Sequence, residues 1–195
     1  MTLIRRGKQR GFTLLELMVV VVIIAILAVI AVPLFAQRFE DRRLQQAGQR
    51  IAGIYRGART RALGRGAAIL VRKNGDTFQV LEGVEGTNAA NAEGNAQCAN
   101  LPTRGCVSNT WTVGSGTTVG TARLIETLAI ATGKNTVTND GDETYDVCFS
   151  PAGRTWIRKD ALWNVMAGAF TIKVANARRE YDVVVLPNGI ARLGL

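Results

Sequence analysis

The sequence predicts an α+β chain: a long N-terminal helix, apolar first and amphipathic afterwards, packed on a head of antiparallel β-strands. Three observations carry this. The run from Phe12 to Ala36 holds a single charge, Glu16. Beyond it, Leu44, Ala47, Ile51, Ile54 or Tyr55, Ala58 and Ala62 recur at spacings of three and four, the stripe of a half-buried helix. From residue 67 onward, short β-branched and aromatic runs alternate with Gly, Asn and Pro turns. The chain thus divides into residues 1–11, 12–36, 37–65 and 66–195.

The apolar run is long enough to cross a hydrocarbon core of about 30 Å at about 1.5 Å per residue. Arg5, Arg6, Lys8 and Arg10 precede it, which keeps the N-terminal flank on the cytoplasmic side and sends the rest across. A secretory signal would carry a shorter apolar stretch and a small-residue cleavage site. Glu16 departs from a plain anchor. A carboxylate at bilayer depth costs about 2.5–3.5 kcal/mol and calls for a partner. Cleavage between Gly11 and Phe12 would supply one, an α-amine close to Glu16 on its own or a neighbouring chain.

Gly11-Phe12-Thr13-Leu14-Leu15-Glu16, with the basic leader before it and Pro33 after it, resembles the class III signal of type IV pilins and type II secretion pseudopilins. The resemblance implies that a prepilin peptidase removes residues 1–11 and methylates the Phe12 amine. It also implies that Glu16 recruits the subunit into a filament and that Pro33 kinks the helix. The implied location is the inner membrane of a Gram-negative bacterium, single pass with the C-terminal head in the periplasm, then the filament at the cell surface. Implied partners are other minor pilins or pseudopilins, a major pilin and the inner-membrane assembly platform.

The helix continues to about Leu63, where Gly64-Arg65-Gly66 supplies C-cap chemistry. Its polar face is strongly basic. Residues 38–73 hold ten Lys and Arg against Glu40 and Asp41, and the expected partners are acidic groups of neighbouring subunits. The net charge of +9 therefore resolves into a leader, this helix face and a slightly negative head.

In the head, Lys73-Asn74-Gly75-Asp76 between two apolar runs is a hairpin signal. Further strands are expected at 111–113, 121–130, 144–149, 154–158, 169–175, 181–186 and 190–193, with turns at 150–153 and 187–189. The segment Tyr145–Thr155 and the paired C-terminal strands resemble the head of GspH/FimT-like minor pilins. Residues 83–110 read as a long exposed loop. Export implies an oxidising compartment, so Cys98 and Cys106 are expected to pair within that loop. Cys148 is then a buried thiol, with a bond to Cys98 or Cys106 as the alternative pairing.

The absence of histidine excludes Ser-His-Asp and Cys-His nucleophile pairs and imidazole shuttles. No catalytic residue, cofactor or metal site is expected. Three functions fit. The first is a minor type IV pilin that initiates or caps pili for adhesion and twitching motility. The second is a minor pseudopilin of a type II secretion system, and the third a competence pilin that binds DNA. For the last, Arg154, Arg178, Arg179 and Arg192 are the candidate contacts. Some FimT-like proteins carry a Gly-Arg-x-Arg motif; here Gly189-Ile190-Ala191-Arg192 has Ile in place of the first Arg.

Overall fold

The computed structural model describes residues 12–84, 103–114, 120–130, 136–138 and 144–194, without the side chains of residues 33–37, Thr136 and Thr138. The chain forms two compact units, Met1–Arg42 and Arg43–Leu195. One helix, α1 (Leu14–Arg65), contributes to both.

In the first unit, Leu14–Val32 is a 19-residue span of mean hydropathy 3.2, none of it buried within the protein. It is apolar around its whole circumference, so no face is distinguished for packing on a head. Pro33 lies within the helix, but its side chain, and with it the expected kink, is outside the described residues.

In the second unit the same helix becomes amphipathic. Leu44, Ala47, Ile51, Tyr55, Ala58 and Ala62 are buried, while Arg43, Gln46, Arg50 and Gly53 face outward. The helix ends at Arg65, within the expected Gly64-Arg65-Gly66 cap, and the Gly66 N–H donates to the Ala62 carbonyl at 3.1 Å.

The strands are β1 (Ile69–Asn74), β2 (Thr77–Gly83), β3 (Ala122–Ala129), β4 (Thr136–Thr138), β5 (Thr144–Phe149), β6 (Thr155–Lys159), β7 (Leu162–Val165), β8 (Phe170–Ala175), β9 (Glu180–Val185) and β10 (Ala191–Gly194). They make a six-stranded sheet in the order β3-β2-β1-β5-β6-β7 and a four-stranded sheet in the order β10-β9-β8-β4. Pairing is antiparallel throughout the named strands. The β1–β2 hairpin pairs Asn74 with Thr77 across Gly75, whose φ of 55° is the left-handed value such a two-residue turn needs. β4 and β7 lie outside the expected strands.

Side-chain alternation gives the six-stranded sheet two occupied faces. On one, Ile69, Val71, Phe78, Val80, Tyr145, Val147 and Phe149 join the buried stripe of α1 and the inner residues of the four-stranded sheet, Ile172, Val174, Val183 and Val185. Tyr55 meets Phe78 and Phe149 edge-on, with centroids 6.5 and 6.4 Å apart. α1 approaches the four-stranded sheet closely at Gly48, where a Cβ would fall 2.6 Å from Leu193 Cδ1. On the other face a smaller core collects Ala68, Leu70, Leu81, Cys106, Trp111, Ala122 and Cys148.

That second core corrects three expectations. Cys106 bonds to Cys148, with Cα atoms 5.8 Å apart, and not to Cys98, which lies outside the described residues. Cys148 points from β5 to the face opposite α1, where residues 103–114 lie across the sheet and bring Cys106 to it. Cys148 is therefore not a thiol, and the end of the expected exposed loop is a cover with Cys106 and Asn109 buried. Residues 111–113 do not form a strand. Trp111 has φ 57°, and only Val113 makes an isolated bridge, to Ala122. The Trp111 ring is buried and its Nε1–H donates to the Cys106 carbonyl at 3.0 Å, which offsets the cost of the left-handed backbone.

Candidate functional site

The processing signal begins at the edge of the described residues. Gly11 lies outside them; Phe12 is non-helical and 79% exposed. Thr13 is the N-cap of α1: its Oγ1 accepts from the Glu16 N–H at 3.2 Å, and its carbonyl accepts from the Leu17 N–H at 3.2 Å. Glu16 sits at the third helical position, in the first turn of the helix, where a carboxylate meets the positive end of the dipole. Thr13-Leu14-Leu15-Glu16 thus has the Thr-x-x-Glu pattern of a capping box. The capping role of Thr13 is readable from that pattern.

The basic helix face is partly neutralised within the chain. Arg61 pairs with Glu126 at 3.3 Å, and Arg65 and Arg123 clamp the buried Glu82, Arg65 at 2.6 Å. Arg72 meets Asp146 at 3.0 Å, Arg158 binds the same carboxylate, and Arg158 also lies 4.6 Å from the Trp163 ring centroid. The expectation that these arginines await neighbouring subunits fails for Arg61, Arg65 and Arg72. They hold the helix end and the sheet together. Arg38, Arg42, Arg43 and Arg50 are exposed and form no ion pair among the described residues.

The four arginines proposed for DNA lie on three separate segments. Arg154 is in the β5–β6 turn and Arg192 is on β10. Arg178 and Arg179 sit in the β8–β9 turn, where their N–H groups donate to Asn176 Oδ1. Arg192 pairs across from Val184, near the far end of β9 from that turn. Gly189 and Ile190 form the β9–β10 turn, with the Gly189 N–H donating to the Leu186 carbonyl.

Buried polar chemistry in the head is structural. Tyr55 Oη donates to Tyr145 Oη at 3.2 Å, and burial pushes both phenols well above their ordinary pKa. Among the described residues, no group of three or more Cys, Asp or Glu is placed to hold a metal.

Residues 6–32 match the family model described as the prokaryotic N-terminal methylation motif. The match contains Gly11, Phe12 and Glu16, together with the whole of the unburied apolar span Leu14–Val32. No curated protein matches the chain in sequence. Among solved structures it is similar to the Pseudomonas aeruginosa type IV minor pilin FimU in two crystal forms. One is 11% identical with a TM-score of 0.44, covering 80% of this chain and 90% of that one. The other is 10% identical with a TM-score of 0.43, covering 77% and 92%.

Proposed function

We propose that the chain is a minor subunit of a type IV pilus, cut after Gly11, N-methylated at Phe12 and assembled through its apolar helix. The observation that carries the reading is one carboxylate, Glu16, in the first turn of an unburied apolar helix, inside a methylation motif. None of Leu14–Val32 is buried among the described residues, so membrane and then a bundle of similar helices cover it in this reading. Within such a bundle a lone carboxylate selects register, because it is stable only beside a cation. The free amine of a neighbouring subunit's Phe12 is that cation. The head gives the subunit its contacts with other minor subunits and carries no catalytic group in this reading. Arg178 and Arg179 lie at the opposite end of β9 from Arg192, which weakens the DNA reading, since phosphate contact needs several cations on one surface.

The test is a Glu16→Gln exchange in cells that assemble the filament. The precursor should still be shortened, and the variant should be missing from sheared filaments while accumulating in the membrane. Incorporation equal to that of the unmodified chain would sink the proposed role of Glu16.

A further inference from the structure

Edge strands expose unpaired N–H and C=O groups, and proteins usually guard them with charges, bulges or brevity. The edges of this head differ in that respect. β3 carries Arg123 and Glu126 and pairs irregularly with β2 at Val80/Leu81. β10 carries Arg192. β7, Leu162-Trp163-Asn164-Val165, carries no charge, and its Leu162 and Val165 are 74% and 52% exposed. Among the described residues it pairs with β6 alone.

Which β7 groups remain available follows from the ladder. The Met166 N–H donates to the Thr155 carbonyl at 3.0 Å. Antiparallel bonds alternate, so Asn164 and Leu162 also point their N–H groups toward β6, and Trp163 and Val165 point theirs outward. Beside this edge lies a groove of about 670 Å³ whose floor and walls include Trp156, Trp163, Cys106 and Val107. Among the described residues, Arg104 and Arg154 line it as well, no acidic residue does, and both arginines are exposed without an ion pair. A free strand edge recognises a polypeptide backbone, an aromatic groove takes an apolar side chain, and two unpaired guanidinium groups take a carboxylate.

We infer that β7 and the tryptophan groove form a docking edge for an extended, apolar segment of another protein that carries a carboxylate. The segment adds to the six-stranded sheet as a further strand. Its backbone meets Trp163 and Val165, one apolar side chain lies between Trp156 and Trp163, and its carboxylate meets Arg104 and Arg154. This inference stands independently of the filament reading, because binding needs no processing at the N-terminus.

The test uses the full chain in lipid nanodiscs and a synthetic peptide of alternating valine and threonine ending in two aspartates. Tryptophan fluorescence follows the titration, and amide hydrogen exchange follows residues 162–165. The expected result is saturable binding with slowed exchange at Trp163 and Val165. Binding should weaken about tenfold or more when alternate peptide amides are N-methylated or when lysines replace the aspartates. Val165→Pro removes one outward N–H without touching the β6 ladder, and should weaken binding similarly at unchanged thermal stability. Should that variant fail to fold, the N-methylated peptide decides alone. Absence of binding, equal binding of the N-methylated peptide, or a preference for a single-stranded oligonucleotide would overturn the inference. So would self-association of the chain through β7.

Discussion

The two halves of α1 share one backbone conformation and have opposite surroundings. From Leu14 to Val32 nearly every side chain is large, apolar and exposed, whereas from Leu44 to Ala62 a stripe of mostly smaller residues is buried against two sheets. Apolar content alone would rank the first half as core. Periodicity is what separates them: a helix apolar on all sides needs a surrounding medium, and a helix apolar on one side needs only a neighbour. The head therefore holds a core of its own, whereas none of the N-terminal span is buried among the described residues.

The largest expected effect on the head comes from its covalent tie. Cys106 and Cys148 are 42 residues apart, and removing the bond with Cys148→Ala should cost about 4 kcal/mol in the chain-entropy model, read by chemical denaturation. A loss under about 1 kcal/mol would mean that residues 103–114 stay over the second core without it.

Next comes a direct contrast between the halves. Ile51→Ala, in the buried stripe, should destabilise the head by about 2–5 kcal/mol. Ile24→Ala, in the exposed span, should leave head unfolding unchanged within about 0.5 kcal/mol. Equal effects would break the comparison.

Alkaline pH gives a smaller, graded effect. Tyr55 and Tyr145 keep their protons in the folded head above the ordinary phenol value near 10, whereas the unfolded chain releases them there. Stability is thus full below pH ~10 and falls above it, by up to about 1.4 kcal/mol per pH unit for each phenol. Tyr145→Phe should flatten that slope; an unchanged slope would assign the alkaline loss to other groups. The smallest effect belongs to Thr13→Val, which should cost the first turn of α1 about 1 kcal/mol and raise amide exchange at Glu16.

Much of this was legible beforehand where the signal is local. Asn74-Gly75 marked its hairpin, the three-and-four spacing marked the buried stripe, and Gly11 to Glu16 marked the methylation motif. What escaped was set by pairing between distant residues. Cys98 is near Cys106 in sequence, but β1 pairing with β5 places Cys148 beneath the 103–114 cover. β7 contains Asn164 and hides among alanines and glycines, so only its ladder with β6 defines it. Trp111 has a strand former's side chain on a left-handed backbone, a conflict that burial of the ring decides. Salt bridges to Glu82 and Asp146 likewise depend on which strands meet, and arginine count alone gave no sign of them.

Under the proposed function the mature chain begins at an N-methylated Phe12. Intact mass measurement and N-terminal fragmentation of the protein taken from its own cells test this directly. The expected species lacks residues 1–11 and carries one methyl group on the Phe12 nitrogen. A chain that retains its leader, or one cut elsewhere with an unmodified amine, would contradict the account.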